Sequence, residues 1–148
     1  MIVRRLRDED VTAVQRMAAR FLSPEGPYGD RFHADPERIA ALVGLLMDAD
    51  HARAGFIAEQ NGTPVGMFGV FCLTHPITGD EMASELCWWV EPEMRGSSVG
   101  LTLLRAAESW AREQGAALFE MIAPSERVAA LYERLGFERT DVHYLKRL

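Results

Sequence analysis

Residues 88–116 read WWVEPEMRGSSVGLTLLRAAESWAREQGA. An apolar, aromatic run ends at Val90, a stretch of charge, serine and glycine follows, and a helical pattern starts at Val99. A plain turn needs one glycine, and a helix start needs one capping side chain. Arg95, Gly96, Ser97, Ser98 and Gly100 exceed both needs. The first turn of a helix leaves its backbone N–H groups without partners, and the macrodipole adds a partial positive charge there. Gly96 and Gly100 let the chain turn and let a ligand approach the backbone. Ser97 and Ser98 supply hydroxyl donors and Arg95 supplies charge. The junction is therefore a candidate cradle for a phosphate-bearing ligand; a serine-capped helix with no ligand is the alternative. No G-x-G-x-x-G follows a first strand, and no lysine follows Gly100. A nicotinamide dinucleotide and a P-loop nucleotide are thus both disfavoured.

Downstream, Leu101, Leu104, Ala107, Trp110 and Ala111 form one stripe of the helix, which Gly115 stops. Residues 117–123 read as a strand. Pro124 and Ser125 open a further helix carrying Val128, Leu131, Tyr132 and Leu135 on one side and ending at Gly136. Two strands, near residues 138–140 and 143–146, close the chain. Upstream, residues 82–90 are a strand, and residues 64–73 are another, apolar enough to predict cover on both faces. Asn61-Gly62 marks a hairpin back to a strand at 56–59. Asp35-Pro36 starts a helix through Ile39, Leu42, Val43, Leu46 and Met47 that ends near Asp50. The segment SPEGPYGD, residues 23–30, is a loop. Before it, Asp8 and Asp10 offer a cap to a helix through Val11, Val14, Met17, Ala18 and Phe21, and residues 2–6 are a first strand. The order is β-α-α-β-β-β-α-β-α-β-β: an α/β chain with a central mixed sheet, helices on both faces, and one domain over residues 1–148.

Apolar residues make up 48% of the chain, enough for a core without staples, and the net charge is −6. That balance disfavours nucleic acid and anionic membranes as partners, and the basic Arg4, Arg5 and Arg7 are followed at once by Asp8, Glu9 and Asp10. The N-terminus MIVRRLRDED has neither a signal-peptide nor a membrane-span pattern, so a cytoplasmic location is expected. Cys72 and Cys87 lie inside apolar runs and read as buried thiols. His33, His51, His75 and His143 are scattered without ligand spacing, so no metal is expected.

Two stretches carry a resemblance. In the first, Val90, Pro92, Arg95, Val99 and Gly100 match the strand, turn and helix of the acetyl-coenzyme A core of the GNAT N-acetyltransferases. In the second, LFEMIAPSERVAALYERLGF, Leu131, Tyr132, Gly136 and Phe137 match that family's later signature. Together they cover about residues 81–140. Ser98 stands where the family turn has a glycine, Ser125 where an asparagine is usual, and Val128 where an alanine is usual. The double tryptophan and ESWAREQGA are similar to a phage- and resistance-associated subgroup of small acetyltransferases.

The resemblance implies the acyl-CoA N-acyltransferase fold and direct transfer of an acetyl group from acetyl-CoA to a primary amine of a small molecule or peptide. It implies coenzyme contacts from Trp88, Trp89, Val90, Arg95, Gly96, Ser97, Ser98, Val99, Gly100 and Ser125. It also implies Tyr132 as the general acid, against the reading of a core tyrosine beside Leu131 and Leu135. Glu120 and Glu85 are carboxylates within apolar strands and are candidates for the base. Simple alternation sets Glu85 with Cys87 and Trp89, opposite Leu86, Trp88 and Val90, so one tryptophan packs under helices and the other lines the acceptor pocket or a dimer contact. Tyr28, Glu25 and Asp30, in the long polar loop, suit a cationic acceptor. A homodimer fits the family and the apolar load of the strands. The competing reading is a non-catalytic acyl-CoA-binding or sensor domain of the same fold.

Overall fold

The computed structural model describes residues 1–24, 26–29, 31–48 and 52–148. Among the described residues, five strands form one sheet in the order β1-β2-β3-β4-β5: β1 is Ile2–Arg5, β2 Arg53–Gln60, β3 Thr63–Thr74, β4 Glu81–Val90 and β5 Leu118–Glu120. Neighbours from β1 to β4 pair antiparallel and β4 pairs with β5 in parallel. The β2–β3 hairpin turns on Asn61 (φ 52°) and Gly62 (φ 77°), the two left-handed residues that this tight turn requires. The helices are α1 (Val11–Phe21), α2 (Pro36–Met47), α3 (Val99–Glu113) and α4 (Glu126–Arg134).

Side chains alternate across β2 and β3, and both faces are covered, as the apolar run in β3 predicts. Phe56, Ala58, Phe68 and Val70 pack on one face against Leu103, Leu104, Ala107 and Trp110 of α3. Ile57 and Met67 pack on the other with Met17 of α1 and Val43 and Leu46 of α2. Leu103 is buried and Leu101 only partly so; the α3 stripe is therefore rotated slightly from the predicted one. α2 is capped as its sequence suggests, the Asp35 carboxylate accepting from the amides of Glu37 and Arg38.

Four expectations are corrected. Asp10 does not cap α1 with its side chain; it accepts from the Arg7 amide at 2.8 Å and from Arg4 at 2.7 Å, joining β1 to the turn before α1. Simple alternation fails in β4. Gly69 lies opposite Cys87 and Val70 opposite Glu85, so Leu86 is an extra residue and a bulge interrupts the ladder. Beyond the bulge the faces exchange: Glu85 shares a face with Ala83 and Trp88, while Cys87 and Trp89 point the other way. Both tryptophans therefore pack beneath helices. Last, residues 138–148 form neither of the two expected strands. A strand exists through hydrogen bonds to a neighbour, and this segment leaves along α4 instead, its Arg139 paired with Glu126 at 2.8 Å and Glu133 at 3.8 Å. β5 is also shorter than the predicted 117–123. The predicted end of the second helix at Asp50, and His51, lie outside the described residues.

Candidate active site

β4 and β5 pair only from Met82–Ser84 to Leu118–Glu120. Among the described residues, no strand pairs with the same edge of β4 from Glu85 to Val90, so the ladder ends there and leaves that edge open. α3 starts at one end of that opening. Gly100 lies so close to β4 that a Cβ there would meet Trp88 Cζ2 at 3.1 Å and Val90 Cγ2 at 3.5 Å. Among the described residues, the amides of Ser98, Gly100 and Leu101 have no protein acceptor. Val99 N donates to Ser97 Oγ at a long 3.4 Å. Gly96 makes the preceding turn at φ 83°, whereas Ser98 sits at φ −74°, a conformation that a residue with a Cβ adopts freely.

The predicted coenzyme residues divide. The indole of Trp88 stacks on Tyr132, centroids 5.9 Å apart and planes at 14°, and its Nε1 is buried without a partner among the described residues. Such an orphaned donor is costly unless something fills it. The ring of Trp89 belongs to the core under α1 and α2, and its Nε1 donates to Glu91 at 3.1 Å. The Arg95 guanidinium lies 4.6 Å over the Trp89 ring and its Nε donates to the Val90 carbonyl at 3.0 Å, with no carboxylate partner among the described residues. Ser97 has its hydroxyl proton engaged by the Met94 carbonyl at 2.6 Å. Ser125 caps α4 by accepting from Val128 N at 3.4 Å.

The catalytic candidates meet where β4 and β5 part. Glu85 accepts from the Ile122 amide at 3.3 Å, and the Tyr132 hydroxyl donates to the Ile122 carbonyl at 3.4 Å. Burial pushes Glu85 up to about 7, opposed by the Ile122 amide and the Tyr132 hydroxyl. Burial also raises Tyr132, with Glu85 and Tyr28 adding to the shift. Tyr28 is raised by burial and then by Glu85 and Cys87. It packs edge-on against Phe21 at 5.1 Å, which carries the loop after α1 to this side. Cys87 is pushed up to about 12, chiefly by burial, so its thiol stays protonated near neutrality. Glu120 lies beside Ser84 in the β4–β5 pairing and makes no hydrogen bond or ion pair among the described residues. Glu25 and Asp30 lie outside the described residues.

Two contributors escaped the sequence reading. The Ile122 peptide bridges Glu85 and Tyr132, and a backbone role leaves no mark on residue type. Glu91 is 7% exposed and accepts from Arg20 at 2.5 Å as well as from Trp89. Its signal was available: a charge between strand and proline, with arginines on a helix upstream.

Among the described residues no group of three or more His, Cys, Asp or Glu side chains is placed to hold a metal ion, and no helix is long and apolar enough to cross a membrane. The sequence profile of the acetyltransferase (GNAT) family matches residues 14–137. An uncharacterised N-acetyltransferase of Escherichia coli, YjgM, is 30% identical over 148 residues, covering 95% of this chain and 83% of that protein. An uncharacterised N-acetyltransferase of Methanocaldococcus jannaschii is 33% identical over 90 residues, 59% of this chain and 40% of the relative's length. Among solved structures, a transcriptional regulator from Bacillus halodurans superposes with a TM-score of 0.81 at 20% identity, with 99% of each chain covered. These likenesses reach the family broadly and do not reach a subgroup.

Proposed function

The chain belongs to the acetyltransferase (GNAT) family, and from that premise we propose that the opening beside β4 takes acetyl-CoA at the head of α3 and serves transfer to a cationic primary amine, with Glu85 as base and Tyr132 as acid. The observation that carries this reading is the meeting of Glu85 and Tyr132 on the Ile122 peptide at the point where β4 and β5 separate.

The residues suit the coenzyme. The partnerless amides of Ser98, Gly100 and Leu101 supply donors for a diphosphate at a helix N-terminus. Trp88 Nε1 is a buried donor still lacking an acceptor. The open edge of β4 from Glu85 to Val90 supplies backbone groups that can pair with an amide-bearing arm or polarise a carbonyl. Acetyl-CoA, when bound, supplies a thioester whose sulfur leaves as the amine attacks.

The chain's own part is positioning and proton handling. An amine arrives as an ammonium and must lose a proton before it can attack. Glu85, at about 7, is substantially ionised at neutral pH yet basic enough to take that proton, directly or through water. Tyr132 is raised above its ordinary value, so it keeps its proton and can donate to the departing sulfur. Tyr28 sits on the acceptor side, in the electrostatic reach of Glu85. Glu25 and Asp30 in the same loop would add negative charge toward a cation. Arg95 contributes charge near the turn, Trp89 supports β4 from the far face, and Ser125 sets the start of the Tyr132 helix. Glu120 is the second carboxylate to test.

The experiment is thiol release from acetyl-CoA with a panel of primary amines. Glu85→Gln and Tyr132→Phe are expected to abolish most turnover while calorimetry still shows coenzyme binding, and Glu120→Gln is expected to change it little. Binding without turnover on any amine would favour the sensor reading. Loss on Glu120→Gln with Glu85→Gln intact would move the base to β5.

A further inference from the structure

The bulge in β4 sends two consecutive side chains to one side of the sheet. Gly69 faces the layer of α1 and α2, as Met67 does, and a Cβ on it would meet Cys87 Sγ at 3.2 Å and Leu86 Cβ at 3.4 Å. Cys87 packs against the core of that layer, whereas Leu86 is 39% exposed. The residue that follows Glu85 is therefore a large apolar side chain open to solvent, on the side from which the loop after α1 approaches.

Tyr28 brings that loop to the same stretch of β4. Its hydroxyl is raised first by burial and then by Glu85 and Cys87, the residues on either side of Leu86. Its ring stands in a file of edge-on contacts, with Phe21 at 5.1 Å and Phe32 at 5.7 Å, and Phe21 in turn meets Trp89 at 6.2 Å. The file ties the loop to the core beneath β4 and ends outward on Phe32, which is 44% exposed. An exposed apolar residue standing alone needs no explanation, but apolar residues gathered beside a candidate site form a surface that a ligand can dry. Leu86, Tyr28 and Phe32 carry no charge at neutral pH, so a second ammonium on the acceptor would find no counter-charge on them.

We propose that Tyr28, Phe32 and Leu86 wall the acceptor side of the opening and select a primary amine that carries an aryl or similarly bulky apolar group. The inference rests on the reading of Glu85 as base for that amine. The nitrogen lies at Glu85 and the apolar group lies against the wall. Phe32 is a specificity residue: it touches the side group of the acceptor and not the reacting atoms.

Acetyl transfer by the full chain to phenethylamine, ethanolamine and putrescine tests this. The first two share their amine arm and differ in the group that the wall would meet; putrescine places a second charge there. The kcat/KM for phenethylamine is expected to exceed that for either of the others by about 10-fold or more. Phe32→Ser is expected to shrink that ratio several-fold, through KM and not kcat. Equal values for the three amines, or a preference for putrescine, overturn the proposal while acetyl transfer stands. A ratio that Phe32→Ser leaves unchanged also overturns it. If no amine is acetylated, the transfer reading fails, and calorimetry of the same amines on the coenzyme-free chain still decides about the wall. Phenethylamine should then bind more tightly than ethanolamine and lose that advantage in Phe32→Ser; equal binding overturns the proposal.

Discussion

Tyr132 does two jobs with different atoms. Its ring stacks on Trp88 and fills the space between α4 and β4, while its hydroxyl makes one long bond to Ile122. Tyr132→Phe separates them, because the ring stays. The lost bond is worth about 1 kcal/mol at most, a fall in Tm of roughly 2–4 °C for a chain of this size. A lost general acid is worth about 10²-fold or more in kcat. Steady-state kinetics beside a thermal melt decides: a large fall in Tm with a small fall in kcat would make Tyr132 structural. Glu85 gives a pH signature. In the proposed role as base the ionised carboxylate is the active form, so kcat/KM should rise through about 7 and level above it. Glu85→Gln should be slow and should lack that limb. Stability should run in the opposite direction. The folded chain holds this proton up to about 7, while the unfolded chain releases it in the ordinary carboxylate range, so the folded state binds more protons in between. Stability therefore falls as pH rises through that window. Denaturant titrations across it should show the slope in the wild type and a weaker one in Glu85→Gln.

At the scale of elements, the gap between α3 and β4 is set by Gly100. A Cβ there would press on Trp88 at 3.1 Å, with Val90 at an ordinary contact distance, yet alanine favours a helix over glycine by up to about 1 kcal/mol. The two effects nearly cancel in stability and do not cancel in geometry. Gly100→Ala is expected to melt near the wild type and, on the proposed coenzyme site, to bind acetyl-CoA several-fold more weakly by calorimetry, because the head of α3 is displaced from the edge of β4. Unchanged affinity would detach the α3 amides from the coenzyme. Helices were legible in the sequence because their signals are local: Asp35 before Pro36, Ser125 before the Tyr132 helix, and Gly115 and Gly136 after their last turns. The central strands were legible from their apolar runs. The bulge at Leu86 was not, since one extra residue alters no composition, and its position alone puts Glu85 on the Trp88 side. Tyr132 and the α3 turn were legible as motif positions. The shared Ile122 peptide was not, being backbone. The terminal strands failed because a strand is a property of a pair, and among the described residues no strand pairs with residues 138–148.

At the scale of the whole molecule, the sheet separates two cores: α1 and α2 lie on one, and α3 packs on the other. Glu91 joins them at the end of β4. Its amide donates to Val65 O at 2.9 Å, and its carboxylate accepts from Arg20 of α1 at 2.5 Å and from Trp89 Nε1 at 3.1 Å, with Arg16 of α1 at 3.4 Å. The turn into α3 follows directly. Helix α1 and the turn into α3 are thus tied through one carboxylate that is 7% exposed. Exposed pairs such as Arg112 with Glu108 contribute about 0.5 kcal/mol or less. A buried carboxylate with several donors is different: each charged hydrogen bond is worth about 1.5–3 kcal/mol, and removing the charge leaves donors unfilled. Arg20 and Arg16 reach solvent, at 43% and 52% exposure, which keeps the cost of freeing them at the lower end. Glu91→Gln, which keeps the shape and one acceptor, is therefore expected to lose about 2–3 kcal/mol, a fall in Tm of roughly 5–10 °C. Glu108→Gln serves as the surface control and should shift Tm by about 2 °C or less. If Glu91→Gln melts with that control, the two layers are held by the sheet alone, and α1 is free to move with respect to the turn into α3.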